Sequence, residues 1–567
     1  MSNRRRCFPT VPLGFALAVS LLAMACSPAA QPATQAPAPS APESAKAPAQ
    51  PTSQVAQGKP GGTLRILVTS AADPLGFDPF ATFSYRTHNV LGFTHSSLIG
   101  IPVPGEGAAD VAPVPNLAEK WEWNDPKTLT VTLRKGIKWH NKAPVNGREL
   151  TSEDVKWTYE RELNSTFTYR SLLESVTEMQ TPDKYTIKFK LSEPNVDFLV
   201  NLAYQYHWIL PKEAGDFSKD AKWGDFKDAK TAIGTGPFVL DRWEPNQGVY
   251  YKKNPDYFKK GLPYVDEVQY LFVPDIATQL AAIKANQVDI APVTAPNLKT
   301  VTDARPELLV QKYVTCGGGL FQFRVDKPPF KDVRVRRAFS MAFDRQGYLK
   351  AFFNNEGSLV NGPVALACHG DWQLPIDKLG PGAQWLKYDP EAAKKLLAEA
   401  GFPSGLDAGE FLSSDGYGVT TVNQAEFIKA SFVSAGITSR LTLKPYAEWL
   451  TTGHAGLYES MAYGPSTPYM SLDEWSYGML YSGSAANKCH CNDPQLDKLL
   501  EQQRLETNVE KRKQIFFEMQ KLAFDQVYYL FAPLGSTNQV NYPYVKNLFP
   551  KGTYQTGLRY EIVWLDK

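Results

Sequence analysis

The sequence predicts a multidomain fold of the α/β or α+β class. Segments with the alternating pattern of strands and segments with the period of helices follow one another along the chain beyond residue 60. The length of 567 residues suggests roughly three domains. Hydrophobic residues make up 43% and charged residues 21%, which argues against a mostly disordered chain and against a protein with many membrane spans.

The charges of the chain almost cancel. Lys and Arg number 60 and Asp and Glu number 58, a formal net charge of +2. A protein that binds a phosphate backbone needs a basic excess, so the sequence argues against a nucleic-acid partner.

The first 25 residues have the features of a bacterial lipoprotein signal peptide. Residues 4–6 are arginines, and residues 11–25 form an apolar run that is short for a membrane span. Ala23 and Ala25 precede Cys26 in a pattern that resembles a lipobox. We expect cleavage before Cys26 and its acylation, with palmitate among the attached chains, which would anchor the protein to the membrane. Ordinary cleavage without lipidation is the alternative.

Residues 26–60 predict a disordered tether. Ala, Pro, Ser and Gln dominate this segment, and Val55 is its one large aliphatic residue. Such a composition buries too little apolar surface to offset the entropy of ordering the chain. Removing residues 1–25, which carry three Arg and no acid, leaves a net charge of −1, so the near-neutrality survives processing.

Strands are predicted wherever residues that favour β-structure alternate with polar residues. Gly61 and Gly62 end the tether, and the alternation begins at once. The predicted strands span 63–68, 129–133, 185–191, 288–290 and, at the end of the chain, 558–565.

Helices are predicted where helical spacing lies between typical start and stop residues. Thr151 and Ser152 can cap one helix, and Gly401 and Gly436 can end two others. The predicted helices span 153–162, 278–286, 332–343, 347–353, 390–400, 422–435, 493–505 and 509–524.

Several short strings occur in an order that carries a resemblance. They are PNLAEKWEW at 115–123, LRKGIKWH at 133–140, LTSEDV at 150–155, GTGPF at 234–238, KNPDYF at 253–258, PPFKDVRVRRA at 328–338 and NDPQLDKLL at 492–500. Together they resemble the family 5 extracellular solute-binding proteins, which serve bacterial ABC transporters for oligopeptides, dipeptides and, in some members, nickel. The resemblance covers about residues 61–567.

The resemblance implies an α/β fold similar to the type II periplasmic binding proteins, with two lobes joined by a hinge and an extra domain. Gly234, Gly236 and Pro237 would form a tight turn at one crossover, because glycine reaches backbone conformations closed to other residues. The implied boundaries are 61–104, 234–315 and 534–567 for lobe I, 105–233 for the extra domain II, and 316–533 for lobe III.

The resemblance also implies a receptor and not an enzyme. A small solute, expected to be a peptide, would bind between the lobes and favour the closed form, which an ABC permease would then recognise. No cofactor or metal is expected. We expect a monomer outside the cytoplasm, in the periplasm or on the outer surface. A surface or signalling receptor without transport is one alternative. A secreted hydrolase is another, although the motifs G-x-S-x-G, S-x-x-K and H-E-x-x-H do not occur.

The matched strings imply ligand-binding positions in both lobes. The string at 77–79 resembles the family's LDP, and the residues after 82 would meet the ligand in lobe I. Glu448-Trp449 resembles an EW string whose Trp lines the pocket, and the residues from 463 would pair with the ligand backbone. Phe83 and Tyr85 could instead be core residues, and Trp449 could pack its own helix. The candidates are Phe83, Ser84, Tyr85, Trp449, Tyr463, Gly464 and Ser466.

One departure concerns the ligand's amino group. Peptide binders of the family often carry an Asp after the Gly–aromatic pair, which holds the α-ammonium. Residues 463–469 contain no acid here, and Asp473 and Glu474 follow at a predicted helix start. The ligand could therefore be a longer or blocked peptide, or not a peptide.

Four cysteines remain once Cys26 is acylated, which allows three pairings in an oxidising compartment. We expect one or two disulfides, with Cys368–Cys491 or Cys316–Cys368 as candidate bridges. A soft metal site is the weaker alternative, because the C-x-C spacing of Cys489 and Cys491 is not that of a zinc knuckle.

Overall fold

A computed structural model describes most of the chain beyond the tether. The described residues are 57–69, 73–82, 84–102, 112–217, 219, 226–360, 362–364, 369–466, 470–550 and 560–567. The signal peptide, Cys26 and the tether up to residue 56 lie outside these ranges, as do Phe83 and Cys368. No helix within the described ranges has the length and apolar character needed to cross a membrane.

Strands and helices are intermixed along the chain, as the sequence predicts. The strands are β1 (Thr63–Val68), β2 (Ile99–Gly100), β3 (Val114–Pro115), β4 (Ala118–Asp125), β5 (Thr128–Leu133), β6 (Val176–Asp183), β7 (Thr186–Leu191), β8 (Phe238–Glu244), β9 (Gly248–Lys253), β10 (Glu267–Phe272), β11 (Ile290–Val293), β12 (Leu309–Tyr313), β13 (Gly319–Phe323), β14 (Leu406–Ser414), β15 (Ile437–Lys444), β16 (Met461–Pro465), β17 (Tyr529–Phe531), β18 (Thr537–Asn541), β19 (Val545–Lys546) and β20 (Trp564–Leu565).

The α-helices are α1 (Tyr85–Leu91), α2 (Ser152–Leu163), α3 (Phe198–Leu202), α4 (Ile276–Lys284), α5 (Ala295–Ala304), α6 (Val333–Ala342), α7 (Arg345–Phe353), α8 (Pro390–Glu399), α9 (Val419–Val433), α10 (Tyr446–Thr451), α11 (Pro494–Leu505) and α12 (Val509–Gln526). Short 3₁₀ segments and a π-helical turn at Glu474–Gly478 connect some of them.

The largest sheet gathers strands from three distant parts of the chain. Its seven strands run in the order β12-β18-β11-β1-β10-β9-β8. β1 lies parallel to both β10 and β11, with Ile66 opposite Tyr270 and Ile290, and β18 is antiparallel to β11. All seven strands fall inside the three pieces predicted for lobe I, whose boundaries stay a prediction.

Two further sheets form the other parts of the molecule. The order β4-β5-β7-β6 lies within the predicted domain II, and the order β15-β14-β16-β13-β17 lies within the predicted lobe III. In β5 the side chains alternate between buried and partly exposed, so the period-2 pattern of the sequence matches the packed face of the sheet.

Most predicted helices and strands are present, but they begin or end at slightly different residues. Local contacts explain several of these differences. α4 begins before residue 278 because the Asp275 carboxylate accepts a hydrogen bond from the Thr278 amide. α9 follows Gly418, whose φ of +91° suits glycine. The predicted strand at 288–290 instead begins at Ile290.

The predicted strand at 558–565 is confirmed at Trp564–Leu565, which form β20, and is wrong at residues 560–563, which form a turn; residues 558–559 lie outside the described ranges. Tyr560 stacks on Phe93 at 5.5 Å, and Glu561 accepts hydrogen bonds from Tyr257 and Lys259. These inward contacts hold the turn.

The crossover at Gly234 and Gly236 depends on close approach, and not on unusual backbone angles as expected. A Cβ on Gly234 would lie 2.0 Å from the Thr94 carbonyl oxygen. Neither glycine has a positive φ. His140 fixes the same turn, because its ring nitrogens bond to the Gly236 carbonyl and the Gly234 amide.

The observed cysteine pairing differs from one of the two predicted bridges. Cys489 and Cys491 form a disulfide, so the candidate Cys368–Cys491 bridge is wrong. Cys316 is also disulfide-bonded, and the candidate that joins it to Cys368 lies outside the described residues. Among those residues, no three His, Cys, Asp or Glu side chains come together as a metal site would require.

Three buried histidines predict that acid destabilises the fold. Burial lowers the pKa of His88 and His95 to about 3 and of His140 to about 4. Between the ordinary pKa near 6.5 and these values, the unfolded chain binds protons that the folded chain does not. We expect the free energy of unfolding to fall as pH decreases from about 6.5 to about 4, by up to roughly 1.4 kcal/mol per pH unit for each histidine.

Urea unfolding over this pH range measures the effect. The variant His95→Gln is the control, because it removes one of the three groups and should flatten the slope. The same slope in both proteins would contradict the assignment.

Candidate functional site

Two aromatic segments from distant parts of the chain meet beside the first sheet. Ser84 precedes α1, and its Oγ lies 3.1 Å from the hydroxyl of Tyr446, the first residue of α10. The Tyr85 ring stacks on Tyr417 and meets Tyr446 edge to face, each at 5.9 Å. Two of the predicted lobe I candidates therefore contact the predicted lobe III directly.

Arg86 strengthens the same contact. Its guanidinium lies 3.7 Å from the centroid of the Tyr446 ring, and it donates a hydrogen bond to the Gly416 carbonyl. The residue is only 7% exposed. A cation over an aromatic ring is favourable, more so when both groups are removed from water, so this pair favours the conformation in which the two segments touch.

Trp449 lies against the surface of β16. It is fully buried in a cluster that includes Tyr446 and Tyr458. A Cβ added to Gly464 would lie 2.5 Å from its ring, and one added to Gly453 would lie 2.0 Å away. Glycine at these two positions makes room for the indole. Tyr85 packs against the same cluster, which joins Trp449 to the lobe I candidates.

The end of β16 offers an open strand edge. β16 pairs with β13 along its whole length on one edge, while its pairing with β14 on the other edge ends at Ala462. In the part of the chain that the structure describes, the backbone of Tyr463, Gly464 and Pro465 has no strand partner on that second edge. An extended peptide can add to such an edge as a further strand.

The side chains of the other two candidates in this segment face elsewhere. The Tyr463 hydroxyl lies 2.8 Å from the Tyr348 hydroxyl and donates to Gln424, away from Ser84 and Trp449. Ser466 bonds to the backbone of Gly318 through both its amide and its hydroxyl. Their side chains support the segment, and only their backbone is available for the predicted pairing.

Three tyrosines of the predicted domain II face the same region. The ring centroids of Tyr169, Tyr204 and Tyr206 lie 5.2–5.3 Å apart. His88 of α1 stacks on Tyr206 at 3.7 Å. Tyr169 lies close enough to Tyr417 to contribute to its raised pKa, whose main cause is burial. A buried cluster of aromatic rings therefore extends from His88 of α1 to Tyr204.

Buried ion pairs join the predicted domain II to the predicted lobe III. Arg512 donates two hydrogen bonds to Asp197, at 2.9 and 2.6 Å, and the Asp473 amide donates to Asp197 at 3.0 Å. Within the predicted lobe III, Arg504 holds Asp473 through three more contacts, at 2.8–3.0 Å. Burial alone would raise the pKa of Asp197, but Arg512 outweighs it and holds that pKa below its ordinary value.

A cleft of about 340 Å³ opens where the three predicted parts meet. It lies beside the other face of α10, and its volume is that of a small-molecule pocket. Its lining residues are Leu75, Gly76, Asp78, Ala81, Thr82, Phe226, Lys227, Ala447, Leu450 and Thr451.

Several residues of this region escape prediction from the sequence. Tyr446 lies three residues before Trp449 on α10, so helical spacing could have found it. Tyr417 and Arg86 carry no comparable signal, because their partners lie more than 300 residues away or on another element. Glu474 lies at the helix start that the sequence predicts, with Asp473 as its N-cap residue.

Removing the Arg86 side chain should favour an open form. In the variant Arg86→Ala, the stacking on Tyr446 and the bond to Gly416 are lost, together worth about 1–3 kcal/mol. We expect a larger radius of gyration in small-angle X-ray scattering of the ligand-free protein.

The matched control is Arg242→Ala. Arg242 stacks on Tyr250 at 3.8 Å inside the first sheet, with both residues on one lobe. The Arg242→Ala variant should leave the radius of gyration unchanged. An equal radius for the wild type and Arg86→Ala would show that Arg86 does not hold the segments together.

Comparison with known proteins places these features in context. A family model described as "Bacterial extracellular solute-binding proteins, family 5 Middle" matches residues 112–487. The dipeptide-binding protein of Escherichia coli (strain K12) is 26% identical over 486 residues, which covers 81% of this chain and 87% of that protein.

Two solved structures share the fold. The binding protein DppA from Helicobacter pylori in complex with the peptide STSA is 22% identical with a TM-score of 0.78, covering 90% of this chain and 99% of that chain. The protein AgaA from A. tumefaciens R10 in complex with agropinic acid is 27% identical with a TM-score of 0.77, covering 89% of this chain and 99% of that chain.

Proposed function

Because this chain belongs to the bacterial extracellular solute-binding proteins of family 5, we propose that it captures a peptide between its lobes and delivers it to an ABC permease for import. Proteins of this family are extracytoplasmic solute-binding proteins. The names of the E. coli relative and of the peptide-bound H. pylori structure support a peptide as the ligand.

The open edge of β16 is the observation that carries this proposal. A peptide that pairs with the backbone of Tyr463 and Gly464 would lie under the Trp449 ring and against Ser84 and Tyr85 of the other lobe. Backbone pairing uses groups that every peptide shares, so affinity would depend weakly on the peptide's side chains. The aromatic walls would supply apolar contact.

Binding would act by stabilising the closed form. The Ser84–Tyr446 and Arg86–Tyr446 contacts already bridge the two lobes. A ligand that contacts both lobes gains those interactions only when the lobes are closed, and it shifts the equilibrium by that difference in affinity. The permease would then recognise the closed arrangement.

The N-terminal segment completes the proposal. Lipidation at Cys26 would keep the receptor at the membrane that holds the permease. The tether would let the folded part move between solution and the permease. We propose that the receptor works as a monomer, since each chain carries both walls of the site.

Calorimetric titration of the full mature chain with alanine peptides of about two to five residues tests the ligand class. We expect saturable binding of one peptide per chain. Agropinic acid is the informative counter-probe, because AgaA is bound to it. Binding of agropinic acid without binding of any peptide would replace the peptide with a non-peptide solute.

A further inference from the structure

The cleft of about 340 Å³ beside α10 stays open although the segments around it touch. All three predicted parts line it, with Ala81 from lobe I, Phe226 from domain II and Ala447 from lobe III, and its described lining includes no residue of β16. Ser84 is already bonded to Tyr446 next to it. The cleft has about twice the volume of an apolar cavity that holds benzene, so closure leaves room for a small molecule.

The walls of the cleft are mainly apolar and are held in place. Phe226 and Leu450 are 2% and 4% exposed, so the packing around them fixes their side chains. Leu75 keeps 43% of its surface exposed. Its amide donates to Thr87 Oγ1 at 3.0 Å, and the Phe77 amide donates to the Phe226 carbonyl at 2.7 Å. An apolar group that covered Leu75 would remove this surface from water, which is favourable.

The charges around the cleft leave one cation uncompensated. Asp78 is the acidic residue of the described lining, and Arg161 bonds to both of its carboxylate oxygens. The Phe80 amide donates to Asp78 as well, at 3.0 Å. Lys227 lines the cleft, is exposed and forms no ion pair with any described residue. The excess of one positive charge beside apolar walls suits an anion with an apolar body.

We propose that this cleft is a second ligand site, which binds a small molecule with a carboxylate and an apolar body. The carboxylate pairs with Lys227, and the body covers Leu75 and packs against Phe226 and Leu450. Such an occupant contacts all three predicted parts at once, so it stabilises the closed arrangement and raises the affinity for a peptide at the edge of β16. The effect on the peptide rests on the proposed function, whereas the site itself does not.

The probe is 3-phenylpropionate, and 3-phenylpropan-1-ol is its uncharged counterpart. Both are titrated by ligand-observed NMR against the full mature chain without peptide. We expect saturable binding of both, with the carboxylate bound roughly three- to fivefold more tightly, the size of one partly exposed charge pair. Failure of both probes to bind would overturn the inference and leave the peptide receptor standing.

The variant Lys227→Met tests the charge. It keeps an apolar side chain of similar length, and it should bring the affinities for the two probes to within about 1.5-fold of each other. The matched control is Lys230→Met, because Lys230 lies three residues further on, outside the described lining, and is paired with Asp228 at 2.8 Å. This control should keep the preference for the carboxylate. The same preference in Lys227→Met would overturn the role of Lys227.

The variant Ala447→Phe tests the place of binding. Ala447 is exposed on α10, so a phenyl ring there fills the cleft without disturbing the core. We expect it to abolish saturable binding of both probes. Glu448→Phe is the control, since Glu448 is the next residue of α10, is also exposed and does not line the cleft. Wild-type affinity in Ala447→Phe would overturn the assignment of the cleft.

Adding tetraalanine separates this site from the peptide site. With peptide at saturation the carboxylate should still bind, and saturating carboxylate should raise the affinity for tetraalanine about fivefold. Displacement of the carboxylate by tetraalanine would make the cleft part of the peptide site and overturn the inference. If no peptide binds at all, the proposed function is removed, and the Lys227→Met and Ala447→Phe variants still decide the cleft.

Discussion

Replacing Arg512 with alanine is expected to lower the free energy of unfolding by about 3–5 kcal/mol, the usual cost of leaving one member of a buried ion pair alone. Arg512 and Asp197 are each about nine-tenths buried and bond through two contacts. Without Arg512, the Asp197 carboxylate would keep the Asp473 amide as a partner but lose its counter-charge. Urea unfolding of the variant at neutral pH measures the change.

Two control variants identify the cause. Arg334 forms an ion pair with Asp332 on the surface, so Arg334→Ala should change stability little. The double variant Asp197→Leu/Arg512→Met should cost less than Arg512→Ala, because it leaves no unpaired charge. A double variant that is less stable than the single one would contradict this explanation.

Replacing Trp449 with alanine is expected to weaken ligand binding by at least about 1 kcal/mol, or roughly fivefold in affinity. Trp449 covers Gly464 at the open end of β16, where the ligand backbone is proposed to pair. The indole is also fully buried, so its loss leaves a cavity and should lower stability by about 3–5 kcal/mol. Calorimetry with the best-bound peptide, at a temperature where the variant is folded, measures the first effect.

Trp139→Ala separates the two effects. Trp139 is equally buried, but it lies in the predicted domain II next to the crossover. We expect this variant to lose stability and keep its affinity. Unchanged affinity in Trp449→Ala would remove Trp449 from the site and leave it a core residue, the alternative that the sequence left open.

The sequence predicts local elements well where the hydrophobic period and the end residues agree. α2 follows Thr151, which completes a capping box with Asp154, and α8 is followed by Gly401 with a φ of +101°. The prediction is wrong where a contact between residues far apart in the sequence determines the local structure. The turn at residues 560–563 forms because Tyr560 packs on Phe93, more than 460 residues earlier in the chain.

The candidate site shows the same division. Ser84 and Tyr85 follow a matched string and Trp449 lies in one, and the structure brings the three residues into one region. Tyr463 lies on the segment that the resemblance implies for backbone pairing, yet its ring faces the side of β16 opposite to Trp449, because neighbouring residues of a strand point to opposite faces. On that side of the sheet the Tyr463 hydroxyl bonds to Tyr348 of α7 and Gln424 of α9.

By itself the sequence determined the class of the protein: a near-neutral, mixed α/β chain behind a signal-like segment, with ordered strings that resemble one family of receptors. Composition and charge are sums over residues, and the signal-like segment and the strings are local. All of these features can therefore be identified without knowing which distant residues come into contact. Only the tertiary structure decided that Arg512 pairs with Asp197 and that Arg86 stacks on Tyr446. Charge pairing and stacking depend on distances between residues far apart in the chain, and folding alone sets those distances.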